Sequence, residues 1–347
     1  MELKGSLTRL SARSTPWLHR LGDAASEIGR EPPQHPVGRA LLQLGLPALV
    51  LGFLVFTVVN QWHELEQLDV RFRAGWLVPG TAALLAFLAV SGFGWYLLTR
   101  MLGQHPQLSA TQMAWGKSLL ARYVPGSVLF VVTRVVLSER AGVPRRVTVT
   151  AMAYETGLSF AAAALFATVL LFAAPGDTES WLRWAMLAAV PVPLIAMHPS
   201  LFGPIVNRLL ALIGRREVPA LLSRAEVLGL FAYYLASWAV MGLAVFCIAR
   251  VLFPVEVSDW GVIASAQAVA FCAAVVSLVF PGGLGVRDGA FAWAAQTVVP
   301  SFAVAAAIAL LARLAMSASE VIYAATATAV ARRFGARGRG QEVATTV

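Results

Sequence analysis

Charge is what this chain has least of. Asp, Glu, Lys and Arg make up 13% of its 347 residues, where ordinary soluble domains carry about 25%. That excludes a usual soluble globular domain. With 58% hydrophobic residues and a mean hydropathy of +0.71, the chain reads as a polytopic membrane protein. Cysteine is nearly missing as well. Cys247 and Cys272 both fall in apolar runs, so they read as packed thiols rather than a disulfide or a metal site. Catalytic signatures are lacking: there is no HExxH, CxxC, GxSxG or P-loop GxxxxGK(S/T). His19, His35, His63, His105 and His198 are scattered over loops and tails. No soluble segment exceeds about 50 residues, too little for a usual catalytic domain. The expectation is a protein that is not an enzyme and that carries no cofactor and no metal. No cleavable signal peptide is evident, because the first 40 residues are polar and a continuous apolar run starts only at Leu41.

What is present is apolar runs separated by small, signed loops. Residues 1–40 form a basic tail with six basic and four acidic residues. The runs are Leu41–Asn60, Trp76–Leu98, Val147–Ala173, Trp184–Met197, Val227–Val251 and Ser301–Ala331, and the segment 332–347 is a second basic tail. Segment 99–146 carries seven basic residues against one acidic, and 198–226 four against two. Segments 61–75, 174–183 and 253–260 are each net acidic. Placing the basic segments in the cytoplasm puts both termini inside, and every loop sign agrees. The formal charge of +9 is spread over these tails and loops, so nucleic acid is not an expected partner.

Two stretches break the apolar pattern. Pro281–Gly289 reads PGGLGVRDG, and Arg122–Arg134, about 156 residues earlier, reads RYVPGSVLFVVTR. Non-helical backbone at membrane depth is tolerated only where it is buried in protein or lines a cavity. The expectation is therefore two broken or re-entrant hairpins, 107–138 and 261–299, beside about six full crossings; hydropathy alone counts seven to eight spans. Units 76–173 and 227–331 share the order span, hairpin, span, but start on opposite sides. That is an inverted-topology repeat within an all-α transmembrane domain at 41–331.

Ionisable groups at membrane depth are expensive and mark function by default. Arg287 follows the second break and Arg134 the first, while Arg122 precedes the first. A guanidinium forms bidentate bonds to phosphate, and helix starts add positive potential. For Arg122 and Arg134, snorkelling to the cytoplasmic surface is the alternative. Asp288 reads as a local ion pair or as an N-cap of a helix starting near Gly289. Glu155, Arg313 and Glu320 lie within spans. Arg313 and Glu320 share one helical face two turns apart, and a Glu155–Arg313 pair across the pseudo-twofold axis is expected, as a functional or a purely structural pair.

The two stretches resemble the lysylphosphatidylglycerol synthase transmembrane-region family, also described as flippase-like. Tyr123, Pro125, Gly126, Arg134 and Glu155 match its first pattern. Pro281, Gly282, Gly283, Gly285, Arg287 and Gly289 match its second, with Asp288 where a glutamate is usual, and Arg313 matches an arginine common in the last span. Thr156 stands where an arginine often follows the Glu155 position. The resemblance covers roughly residues 40–333. It implies the flippase half of bifunctional lipid-aminoacylating enzymes, without the soluble synthase domain, and so lipid translocation rather than lipid synthesis.

The expected function is translocation of an anionic phospholipid or lipid-linked headgroup in the plasma membrane, at a midplane pocket between the repeats. Membrane lipids are the expected partners, and the protein partner is left open between a second copy and a lipid or glycan enzyme. Two alternatives stay open: a proton-coupled small-anion transporter using Glu155 or Glu320, and a non-transporting membrane subunit.

Overall fold

Runs of alanine, leucine and valine with no interior polar stripe favour helices that bury apolar surface all round, against other helices or lipid. The computed structural model describes residues 72–123, 128–173, 180–212, 221–277 and 286–345, and every regular element in them is helical. Within these segments lie α1 (Leu77–Met101), α2 (Leu108–Leu120), α3 (Val128–Arg140), α4 (Arg145–Ala173), α5 (Ser180–Ala189), α6 (Pro191–Ala196), α7 (Pro199–Leu212), α8 (Arg224–Leu252), α9 (Trp260–Ser277), α10 (Val286–Ala295) and α11 (Phe302–Thr345). Short 3-10 turns at Ala74–Trp76, Ala121–Tyr123 and Val257–Asp259 flank α1, α2 and α9. The first apolar run, Leu41–Asn60, and the 1–40 tail lie outside the described residues, as do Pro125, Gly126, Pro281, Gly282, Gly283 and Gly285.

Among the described residues, five helical segments are long and apolar enough to cross a membrane: Ala74–Met101, Arg145–Val169, Arg224–Leu252, Val257–Val276 and Phe302–Arg333. The chain is an all-α polytopic membrane protein. Val257–Val276 meets the length of a span, although the sequence pattern places it in a broken hairpin. Its successor α10 has ten residues, about 15 Å, half of a hydrocarbon core. α2 and α3 have thirteen residues each, also too few to cross. The expected crossing at Trp184–Met197 is divided between α5 and α6. Pro191 and Pro193 supply no backbone N–H, so the α5 ladder cannot run on through them. The expected loop at 198–226 instead begins with α7.

Local chemistry sets several ends. Gly103 and Gly142 take positive φ, 78° and 87°, and close α1 and α3 with paired reverse hydrogen bonds. Gln104 N donates to the Thr99 carbonyl at 3.0 Å and Val143 N to the Ser138 carbonyl at 2.9 Å, a glycine-dependent stop. Ser223 and Glu226 cap the start of α8 reciprocally, with Ser223 N donating to Glu226 Oε2 at 2.8 Å.

Packing follows a simple scheme. In the set α1–α4, consecutive helices pack and α1 meets α4; in the set α8–α11, consecutive helices pack and α8 meets α11. Between sets, α1 packs on α8, α2 on α11, α9 on α4, α1 on α11 and α8 on α4. Exchanging the two sets leaves this scheme unchanged. α5 and α6 pack on α4 outside it. Helices in lipid gain no hydrophobic drive toward one another, so small residues that allow close approach carry the contacts. Ala161–Ala164 on α4 and Ala264, Ala266, Ala268 and Ala270 on α9 are all fully buried. At the α2–α11 crossing, a Cβ on Gly116 would stand 3.0 Å from the Tyr323 ring.

Candidate functional site

The ionisable residues singled out in the sequence form two clusters, one within α1–α4 and one on α10 and α11 that the turn after α2 joins. In the first, Arg134 of α3 is completely buried. Its guanidinium lies 4.7 Å from the Trp95 ring, 5.0 Å from Phe130 and 5.4 Å from Trp115, a cation enclosed by aromatic faces. Arg134 donates to Glu155 Oε2 of α4 at 3.0 Å and to Ser118 Oγ of α2 at 2.5 Å. The Trp115 indole N–H of α2 donates to the other carboxylate oxygen, Glu155 Oε1, at 2.7 Å. Trp115 also stands edge-on to Tyr323 of α11, with ring centroids 5.8 Å apart. Arg134 therefore neither snorkels to the surface nor reaches the second cluster's cavity. Its charge is spent inside the protein.

The second cluster also has an ion pair between the third and fourth helices of its set, with the charges exchanged. Arg313 of α11, the fourth helix of its set, donates to Asp288 Oδ2 of α10, the third, at 2.5 Å. Both side chains stay 26% exposed. The expected Glu155–Arg313 pair does not form. Each group instead finds a partner on the helix packed directly against its own, α3 on α4 and α10 on α11. Nor is Asp288 an N-cap, because α10 starts two residues earlier, at Val286.

Arg122 and Tyr123, from the 3-10 turn after α2, reach across to α11. Arg122 pairs with Glu320, which is fully buried while the arginine side chain is 39% exposed. Tyr123 Oη donates to Glu320 Oε2 at 2.9 Å and sits 2.8 Å from Ser317 Oγ. Ser317 in turn donates to the Arg313 carbonyl at 2.9 Å. Described residues of both broken stretches thus meet on one polar face of α11.

Arg287, at the second position of α10, is different. It is half-buried and makes no hydrogen bond or ion pair with any described residue. Arg122, Asp288, Arg313 and Tyr123 are the groups close enough to act on it electrostatically. It lines a small, partly open cavity with Asp288, Arg313 and Gln267. The rest of the wall is apolar: Leu84 of α1, Met241 and Val245 of α8, Ala270 of α9, Phe291 of α10, and Ala309, Ala312 and Met316 of α11. Leu84, Met241, Gln267 and Arg313 each lie within about five residues of the centre of their candidate span, some 7 Å along the axis. The cavity is at membrane depth and mostly apolar in its lining, with Arg287, Asp288 and Arg313 as its charged residues.

Four of the residues that build these clusters carry no charge and do not stand out in the sequence. Trp115, Ser118 and Ser317 give no signal, since a tryptophan or serine is common in a membrane helix. Gln267 gives a weak one, a side-chain amide in the middle of the apolar run 261–280.

With this geometry in place, comparison with known proteins adds the class. The sequence model of the lysylphosphatidylglycerol synthase TM region matches residues 41–322, and the chain belongs to that family. It is an integral membrane protein of a lipid-handling family. No curated protein and no solved structure matches it significantly.

Proposed function

We propose that this protein translocates a lipid, binding an anionic headgroup in the midplane cavity that its second helix set forms with α1. The observation that carries this reading is Arg287. In the same cluster Arg313 has Asp288 and Arg122 has Glu320, and Arg134 has Glu155 in the other set. Among the described residues, Arg287 alone of these four makes no ion pair with a carboxylate, and it faces the cavity. A guanidinium left uncompensated at membrane depth costs several kcal/mol, a cost that an anionic ligand removes. The arginines of the lining suit a phosphate, and the apolar residues beside them suit the lipid that carries it.

The exchange-invariant packing supports an inverted repeat, with the two sets rocking against each other about the α1–α8 contact. The alternating loop signs support a plasma-membrane orientation with both termini in the cytoplasm. On this reading the chain works by binding and movement, and catalyses no chemical change in the lipid. The test is lipid exchange between leaflets of vesicles reconstituted with purified protein. Arg287→Ala is expected to abolish most of it and Arg287→Lys to retain part. Unchanged exchange in Arg287→Ala overturns the reading.

A further inference from the structure

Two carboxylates, Glu155 and Glu320, lie near the middle of their spans, and the groups that bind them differ in kind. Around Glu155 every partner can only donate. The Trp115 indole N–H takes Oε1 and the Arg134 guanidinium takes Oε2, and neither can accept a hydrogen in return. Arg134 is completely buried, so it has no water to withdraw to. Glu155 is held as an anion.

Glu320 is fully buried, but its cation is not. Arg122 comes from the short 3-10 turn Ala121–Tyr123 and keeps a side chain 39% exposed, so it can withdraw to water. Arg122 meets Oε1 as an ion pair, and that oxygen has no aligned hydrogen bond. The other oxygen faces a hydroxyl, which both donates and accepts. Tyr123 Oη stands 2.9 Å from Glu320 Oε2 and 2.8 Å from Ser317 Oγ. Tyr123 has one hydrogen for these two acceptors, and Ser317 spends its own on the Arg313 carbonyl at 2.9 Å. With Glu320 ionised, one of the two contacts lacks a hydrogen. A proton on Oε2 supplies it. Glu320 then donates to Tyr123, Tyr123 to Ser317 and Ser317 to Arg313, with each hydrogen used once.

The charged surroundings are few. Arg122 and Tyr123 face Glu320 directly. On α11 itself, Arg313 is two turns away and bound to Asp288 of α10, and Tyr323 is bound to Gln112 of α2. Among the described residues, no ionisable side chain of α1, α2, α8 or α10, the helices packed on α11, bonds to Glu320. Arg122 is close enough to Arg287 for their charges to interact, so an anion between them can take the place of the carboxylate.

We propose that Glu320 is a proton-binding site linked to the cavity: when an anionic headgroup enters, Arg122 leaves Glu320 for it and Glu320 takes a proton from water. The proton passes to Oε2, and it returns to water when Arg122 comes back. One anion and one proton are bound together, so no net charge is added at membrane depth. The inference rests on the lipid-binding reading of the cavity and adds a coupled ion to it.

The experiment is binding of short-chain phosphatidylglycerol to the purified full chain in detergent, from about pH 6 to about pH 8. This probe is a phosphodiester and stays a monoanion throughout. Uptake of one proton with each anion makes wild-type affinity rise about tenfold for each unit of falling pH. Glu320→Gln copies the protonated state, since its amide donates to Tyr123 and leaves Arg122 free. It is expected to bind the lipid with an affinity independent of pH. Arg122→Ala serves if the glutamine variant aggregates. It leaves Glu320 without its cation and already protonated, so its affinity is expected to be weaker and equally flat.

A pH dependence that survives in Glu320→Gln and in Arg122→Ala overturns the assignment to Glu320. Wild-type binding that does not change with pH overturns the proton link and leaves the lipid reading standing. Failure of wild type to bind the lipid at any pH overturns the lipid reading itself. Equal binding of the deacylated, water-soluble glycerophosphoglycerol, with the same pH dependence, supports the proton link and overturns the assignment to a lipid.

Discussion

Each helix set carries an ion pair between its third and fourth helices with a side chain of the second helix beside it, and uses the three differently. In α1–α4, Trp115, Arg134 and Glu155 close on one another. The arginine is fully buried and three aromatic rings surround its charge. In α8–α11, Gln267, Asp288 and Arg313 stand on the second, third and fourth helices and line one cavity. The ion pair is reversed in sign and a quarter exposed, and a further arginine, Arg287, sits beside it. The first set resembles a closed joint and the second an open one. Buried ion pairs add little net stability, yet losing one partner is severe, because the other is stranded. One architecture can therefore hold a rigid element and a binding element.

A substitution in the closed joint should do the most damage. Arg134→Ala strands Glu155 and empties the aromatic enclosure. It is expected to destabilise the protein by about 3–5 kcal/mol, read as a large drop in the thermal midpoint of the detergent-solubilised protein. A variant with an unchanged midpoint would remove the structural role assigned to that cluster.

The open joint should respond in the opposite way. Arg287→Ala removes no bond to a described residue, so stability is expected to stay within about 0.5 kcal/mol. Lipid exchange in vesicles is expected to fall by about tenfold to a hundredfold, as for loss of a hydrogen bond to a charged group. Loss of stability without loss of exchange would make Arg287 structural, like Arg134.

Gln267→Trp sharpens the comparison by copying the first set into the second. The indole is expected to fill the cavity and raise stability by about 1 kcal/mol, while lipid retained through purification falls to background. Retained lipid in a stable Gln267→Trp protein would place the binding site elsewhere. The smallest effect belongs to the contact joining the sets. Gly116→Ala puts a methyl against Tyr323 and is expected to cost about 1 kcal/mol or less, with exchange slowed only slightly. A loss as large as that of Arg134→Ala would mean that α2 and α11 cannot separate even by tenths of an ångström.

Much of the site is legible in the sequence because charge is so costly in a membrane. Arg134, Glu155, Arg287, Asp288, Arg313 and Glu320 stand out in a chain with few ionisable residues, and the structure draws each of them into one of the two clusters. Their partners are less legible. Helical spacing puts Arg313 and Glu320 on one face, and they do share it, but it does not say that Tyr123 and Arg122 come to Glu320 from 197 and 198 residues away. The pairing of Glu155 with Arg313 follows from treating the two repeats as facing each other. The structure satisfies each group within its own set, since the adjacent helix is nearer than the opposite repeat. Pro191 and Pro193 are visible in the sequence, yet hydropathy averages over them and makes one crossing of what folds as two short helices.

By itself the sequence determines that this is an all-α membrane protein of the lysylphosphatidylglycerol synthase TM family, because scarcity of charge, long apolar runs and the two proline–glycine stretches are local properties. It also determines which few residues carry charge into the lipid. Only the tertiary structure decides what those charges do. A guanidinium is an inert joint when rings and a carboxylate close round it, as at Arg134; one that lines a cavity and makes no ion pair among the described residues, as at Arg287, can take an anionic ligand, which is the reading proposed above. That distinction depends on helices far apart in the chain, and no local pattern contains it.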